Sequence, residues 1–133
     1  EGSNRCFYRR NTDTIHMPAL NRFRSSQSYY ATLAHEHVHW TGAPHRLDRT
    51  KGKAFGDPAY AFEELIAELG SAFLLTSLGV MPCDTASHAS YLDSWMQALR
   101  DDGSLLRKAA SYASKAVSCM QDAQQQQPTA LAA

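Results

Sequence analysis

His35-Glu36-His37-Val38-His39 is an H-E-x-x-H word, and it constrains the fold because its chemistry needs a helix. On an α-helix, positions i and i+4 lie one turn apart on the same face, so His35 and His39 can offer two imidazole nitrogens to one metal ion. Glu36 reaches the rim of the same site, where it can take a proton from a water that the ion activates. The flanking residues supply the helix. Ser25 or Ser26 suits the N-cap, no Gly or Pro intervenes before Trp40, and Gly42 and Pro44 follow as a stop. The spacing predicts a helix over 26–41 with Tyr29 or Tyr30, Leu33 and Trp40 as its core stripe. The alternative is a histidine-rich surface helix.

A catalytic zinc takes a third protein ligand and keeps one position open. The candidates lie in Phe62-Glu63-Glu64-Leu65-Ile66-Ala67-Glu68-Leu69, with Glu64 25 residues beyond His39. Phe62, Leu65, Ile66, Leu69, Ala72 and Phe73 recur with helical period, which predicts an apolar face. Glu64 and Glu68 share a different face, and like charges at that spacing repel. A divalent cation on Glu64, with Glu68 accepting the second N–H of a ligand histidine, would compensate them. Glu63 points about 100° away from Glu64 and is the runner-up ligand. A solvated acidic face is the alternative here.

The chain has 133 residues, 44% of them hydrophobic, enough for one domain with a core. No apolar run approaches a membrane span. The first residue is Glu1 rather than Met, which fits a domain cut from a longer protein. Cys6, Cys83 and Cys119 are odd in number and scattered, the pattern of free thiols in a reducing compartment. Net charge is zero, but residues 1–53 carry a balance of +5 and residues 54–133 of −5. The basic half is expected to be a solvated surface rather than a nucleic-acid face.

Residues 6–9 and 14–17 flank a turn-rich Asn11-Thr12-Asp13 and read as a hairpin, ended by Pro18. Three further helices are expected: about 59–78, about 86–100 with Leu92, Trp95 and Leu99 on one stripe, and about 104–120 with Leu105, Ala109, Ala113, Ala116 and Met120 on another. The loop 42–58 is long enough to be functional or mobile. The expected division is a domain over 1–122 and a flexible Gln-rich tail over 123–133.

Asp13-x-Ile15-x-Met17-Pro18, then Tyr29-Tyr30-Ala31-Thr32-Leu33-Ala34-His35-Glu36-x-x-His39-Trp40-Thr41-Gly42, then Arg46-Leu47 resemble the zincin-like metallopeptidase domain of ArdC-type antirestriction and related polyvalent mobile-element proteins. The resemblance continues through Phe55-Gly56-Asp57, Tyr60-Ala61, residues 63–70 and Tyr91-Leu92-x-x-Trp95. His37 departs from it, standing where Leu or Ile is expected. It lies about 200° round the helix from His35, so it is not expected to be a ligand.

The resemblance implies an α+β zincin fold, mainly helical, with a small hairpin or sheet over the active-site helix. It implies Zn2+ held by His35, His39 and a downstream glutamate, and plasmid, phage or other mobile-element biology with antirestriction as the role. The expected partner is a protein or peptide substrate, with DNA contacted through a separate domain of the full-length protein. The expected location is cytoplasmic, or a recipient or host cell after delivery. Two functions follow: a peptidase with Glu36 as base and acid, or a zinc-stabilised module that binds DNA or protein without cleaving it. Retention of Glu36 favours the first.

His88, Tyr91 and Tyr60 are candidates for stabilising an oxyanion, with packing as the alternative for each. His16 is expected to be half-exposed rather than catalytic, and His45 to be solvated. Zincins place a strand edge beside the metal, and Thr14 to Met17 is expected to present its outer edge to the cleft.

Overall fold

A computed structural model describes residues 4–49, 57–80, 85–100 and 102–126, without the side chains of 85–88 and 98. Two strands, β1 (Phe7–Arg9) and β2 (Thr14–His16), form an antiparallel pair with Tyr8 opposite Ile15. A single 3-10 turn at Leu20–Arg22 leads to four helices: α1 (Ser26–Thr41), α2 (Pro58–Ser77), α3 (Thr85–Ala98) and α4 (Gly103–Gln125). This is the expected α+β architecture. Among the described residues no helix is long and apolar enough to cross a membrane.

Side-chain caps set three helix starts. Ser25 Oγ accepts from Ser28 N at 3.1 Å, Asp57 Oδ1 from Ala59 N at 2.9 Å and Asp102 Oδ1 from Ser104 N at 2.9 Å. Pro58, which lacks an N–H, occupies the first turn of α2, where none is needed. Helix α4 runs five residues past the expected 120, so Gln121 to Gln125 are helical. Gln is a fair helix former, and Asp122, Ala123 and Gln126 line a groove against Trp40 and Leu47. The rest of the expected tail, 127–133, lies outside the described residues, as do 50–56 of the expected loop and Cys83.

Helix α2 is the hub and packs against each of the other three. Leu65, Ile66 and Ala67 are buried on it, with Val38 from α1 and Ala109, Ala113 and Ala116 from α4. Small residues along α4 let its backbone approach α2 closely. Gly70 does the same for α1: a Cβ there would lie 2.8 Å from Val38 Cγ2. Two expectations for helix faces fail. Ala72 and Phe73 of α2 are exposed, because the core face ends at Gly70, Ser71 and Leu75. On α1 the buried residues are Ala34, Glu36, Val38, His39 and Thr41, while Tyr30 is exposed and Tyr29, Leu33 and Trp40 are half-buried. The inner side of α1 is polar because it carries the site.

The hairpin sits against α1, which both strands contact. Tyr8 N–H donates to Glu36 Oε2 at 2.9 Å, so at Tyr8 the outer edge of β1 faces α1, which β2 contacts as well. The main-chain donor beside Glu36 thus comes from β1 rather than from the Thr14 to Met17 segment. Residues 17–25 carry the chain from β2 to α1.

The hairpin turn is tied to the end of α1 by Asp13, Tyr8 and Arg46. Tyr8 Oη donates to Asp13 Oδ1 at 2.8 Å, and Arg46 grips both Asp13 oxygens. Arg46 Nε donates to Trp40 O at 2.6 Å, with its guanidinium 3.8 Å from the Trp40 ring centre. Hydrogen bonds from Arg46, then from Tyr8, hold the Asp13 carboxyl well below the usual carboxylate range despite some desolvation. A depressed folded-state pKa adds stability that is present above the usual carboxylate range and is lost as pH falls below about 4. Asp13 has φ 53, which asparagine also tolerates, so Asp13→Asn isolates the charge. The variant should be less stable than the parent at pH 7, and the gap should close toward pH 2; urea unfolding at both pH values checks this.

Candidate metal centre

His35 and His39 lie one turn apart on α1 and face α2. Their Nε2 atoms are 3.1 Å apart. Glu64 reaches both: Oε2 is 3.3 Å from His35 Nε2 and Oε1 is 3.2 Å from His39 Nε2. Two donors about 2.0 Å from a tetrahedral ion sit about 3.3 Å apart, so these three side chains already have the spacing of three tetrahedral ligands. Among the described residues they form a group of donors able to hold a metal ion. Two imidazoles and a carboxylate are a donor set that suits zinc.

The second nitrogen of each histidine faces another carboxylate from α2. His35 Nδ1 is 3.4 Å from Glu68 Oε1, the partner expected from the sequence. His39 Nδ1 is 3.1 Å from Glu63 Oε1, a pairing the sequence reading missed by treating Glu63 as a runner-up ligand. Both Glu63 oxygens are engaged: Arg49 Nε donates to Oε2 and Arg49 Nη2 to Oε1, each at 3.0 Å. Arg49 follows α1 in a segment with no periodic signal, so only its charge was visible in the sequence.

Electrostatics follow from this crowding. Burial opposes a charge on His35, but hydrogen bonds to Glu64 and Glu68 and their negative charges win, so its pKa is raised to about 10. Burial likewise opposes the Glu64 and Glu63 charges. Hydrogen bonds from His35 and His39 hold Glu64 well below the usual range, and His39 and Arg49 lower Glu63. The cluster is a place that favours positive charge.

Glu36 is set apart from these donors. Its carboxylate is buried, accepts from the Tyr8 N–H and is not part of the three-donor group. Burial, then the Glu36 charge, push the Cys6 thiol up, which puts Cys6 near this carboxylate. Burial, then the charges of Glu64 and Glu36, raise the Tyr60 hydroxyl, which also hydrogen-bonds Glu64. Tyr60 therefore joins the site while its ring packs edge-on to Trp95. Tyr91 on α3 has more than half its surface in solvent, and the His88 side chain lies outside the described residues.

The remaining histidines are elsewhere. His37 Nδ1 lies 2.9 Å from Leu33 O, on the side of α1 that also carries Trp40. His16 stacks on Phe7 and His45 sits beside Asp13 and Arg46, largely exposed.

The sequence over residues 1–112 matches the family described as zincin-like metallopeptidase. Two Escherichia coli proteins named DNA primase TraC are 47% and 45% identical to this chain over 111 residues, covering 84% of it but only 10% and 8% of their own lengths. An uncharacterized Sinorhizobium fredii protein, y4eC, is 43% identical over 112 residues, which is 84% of this chain and 36% of that one. The crystal structure of the antirestriction protein ArdC from plasmid R388 in its Mn(II)-bound form superposes with a TM-score of 0.75 at 47% identity, over 92% of this chain and 45% of that one. Its metal-free form gives 0.75 at 46% identity, over 96% and 46%. The chain thus spans less than half the length of each of these proteins, and by its sequence and its fold it belongs to the zincin-like metallopeptidase family.

Proposed function

We propose that this domain is a zinc-dependent peptidase in which His35, His39 and Glu64 hold the ion and Glu36 is the general base. The observation that carries this reading is the division between two carboxylates: Glu64 faces both imidazole nitrogens, whereas Glu36 is anchored on β1 outside that group. A purely structural site has no use for a base held at its rim. The Mn(II)-bound ArdC structure supports a divalent ion in such a domain, and the two imidazoles favour zinc.

When bound, zinc would lower the pKa of a water toward about 7 and polarise the scissile carbonyl. Glu36 would take a proton from the attacking water as its oxygen bonds to the carbonyl carbon. It would then return that proton to the amine as the C–N bond breaks. The side chains of His35 and Glu64 are 18% and 12% exposed, against 3% for His39, so substrate would approach from the His35 side. Tyr60, close to Glu64 and Glu36, would be a donor toward a developing oxyanion.

The similarity to plasmid-encoded ArdC supports a role in mobile-element biology, with antirestriction as the whole protein's function and DNA contact left to another domain. A fluorogenic peptide library incubated with zinc-loaded domain tests the reading. Hydrolysis should disappear with a chelator and return with zinc. A fully loaded domain that cleaves nothing would instead be a zinc-stabilised binding module.

A further inference from the structure

We propose that Arg49 is a positioning residue for His39, acting through Glu63. This rests on the metal reading above and deepens it. Arg49 and Glu63 are both buried, 6% and 3% exposed. The guanidinium meets the carboxylate in a two-pronged contact at 3.0 Å and 3.0 Å, and the same carboxylate lies 3.1 Å from His39 Nδ1.

The consequence is chemical. Both oxygens of an ionised Glu63 are acceptors only, so His39 must donate from Nδ1. Its Nε2 is left with a lone pair, and that atom is the one 3.1 Å from His35 Nε2 and 3.2 Å from Glu64 Oε1. Arg49 thus sets which His39 nitrogen faces the ion and at what angle.

The surroundings hold Arg49 itself in place. Nη1 donates to Thr41 Oγ1 at 2.9 Å and Nη2 to Val38 O at 2.6 Å, which fastens the guanidinium to the last turn of α1. Its backbone N–H donates to Gly42 O at 3.0 Å, and Arg10 Nη2 donates to Arg49 O and Gly42 O at 2.7 Å each. Gly42 has φ −82, a conformation open to any residue, so its turn does not demand glycine. The close approach favours it: a Cβ there would lie 3.0 Å from Arg49 Nη2 and 3.1 Å from Cζ, so the guanidinium would have to shift by a few tenths of an ångström. A cavity of about 10 Å³ lined by Tyr8, Arg10, His39, Gly42, Arg49 and Glu63 leaves space for at most one water. By contrast, the His35 Nδ1 to Glu68 contact is longer, 3.4 Å, between more exposed groups.

Lysine keeps the charge of Arg49 but cannot reproduce its planar fork of donors. Arg49→Lys should therefore weaken zinc binding about 10–100-fold, the range for losing an outer partner of a ligand histidine. The measurement is competition with a chromophoric chelator at a temperature where circular dichroism shows parent and variant folded. Proton–nitrogen NMR of the zinc-loaded protein supplies a second readout: the slowly exchanging His39 Nδ1–H of the parent should be lost or exchange rapidly in the variant. Gly42→Ala, which crowds the guanidinium and leaves every polar group present, covers the case in which Arg49→Lys does not fold, and should weaken zinc in the same direction. Zinc affinity within twofold of the parent in the folded variant, with the Nδ1–H signal intact, overturns the proposal while leaving the metal site standing. A parent that binds no zinc overturns the metal reading and this proposal together.

Discussion

His39→Ala and Glu64→Ala should each cost more than the roughly 100-fold in zinc affinity that an outer partner can account for, because each removes a ligand atom itself. His35→Ala should do the same. The clean readout is the difference in stability with and without zinc, since His39 is buried and its removal disturbs the metal-free protein too. Zinc present at 100 times its Kd stabilises the folded state by about 2.7 kcal/mol, an increment of several degrees in Tm that the parent should show and the variants should lose. Glu63→Ala is the informative contrast. Its oxygens are engaged by Arg49 and His39, so it should weaken zinc without abolishing it. A Glu63 variant that loses zinc entirely while Glu64→Ala retains it would exchange the roles assigned to these neighbours.

Glu36→Gln should keep zinc and the fold yet reduce any peptide hydrolysis by about 10²–10⁴-fold, the usual worth of a positioned general base. The amide oxygen of Gln can still accept the Tyr8 N–H that Glu36 Oε2 receives at 2.9 Å, but it cannot take a proton from water. Glu36→Ala should behave differently. It leaves the Tyr8 N–H without that acceptor, and an unsatisfied buried donor costs about 1–3 kcal/mol. The pair of variants therefore separates chemistry from anchoring: both lose turnover, and only the alanine loses stability. Hydrolysis undiminished in Glu36→Gln would remove Glu36 from the mechanism.

What the sequence made legible is what helical geometry dictates. His35, Glu36 and His39 follow from one turn of α1, and the Glu64 and Glu68 spacing follows from one turn of α2. The Ser25 cap and the small-residue stripe of α4 were equally visible. The partner of Glu63 was not, because which carboxylate meets which imidazole nitrogen depends on how α1 crosses α2. That crossing is set by Gly70 against Val38, a contact between residues 32 apart. Arg49 was hidden for a related reason: it arrives from an irregular segment, and nothing in its neighbours says that it folds back under α1. The buried face of α1 was misread because a search for an apolar stripe passes over a helix whose inner side is Glu36, His39 and Thr41.

A crystal structure of the zinc-loaded domain, with an anomalous difference map at the zinc edge, tests the central claim most directly. The account predicts one strong peak about 2.0–2.1 Å from Nε2 of both His35 and His39 and about 2.0–2.2 Å from a Glu64 oxygen, with Glu36 outside the ligand set. A peak bound to Glu63 in place of Glu64, a peak that takes Glu36 as a ligand, or no peak between α1 and α2 would contradict it.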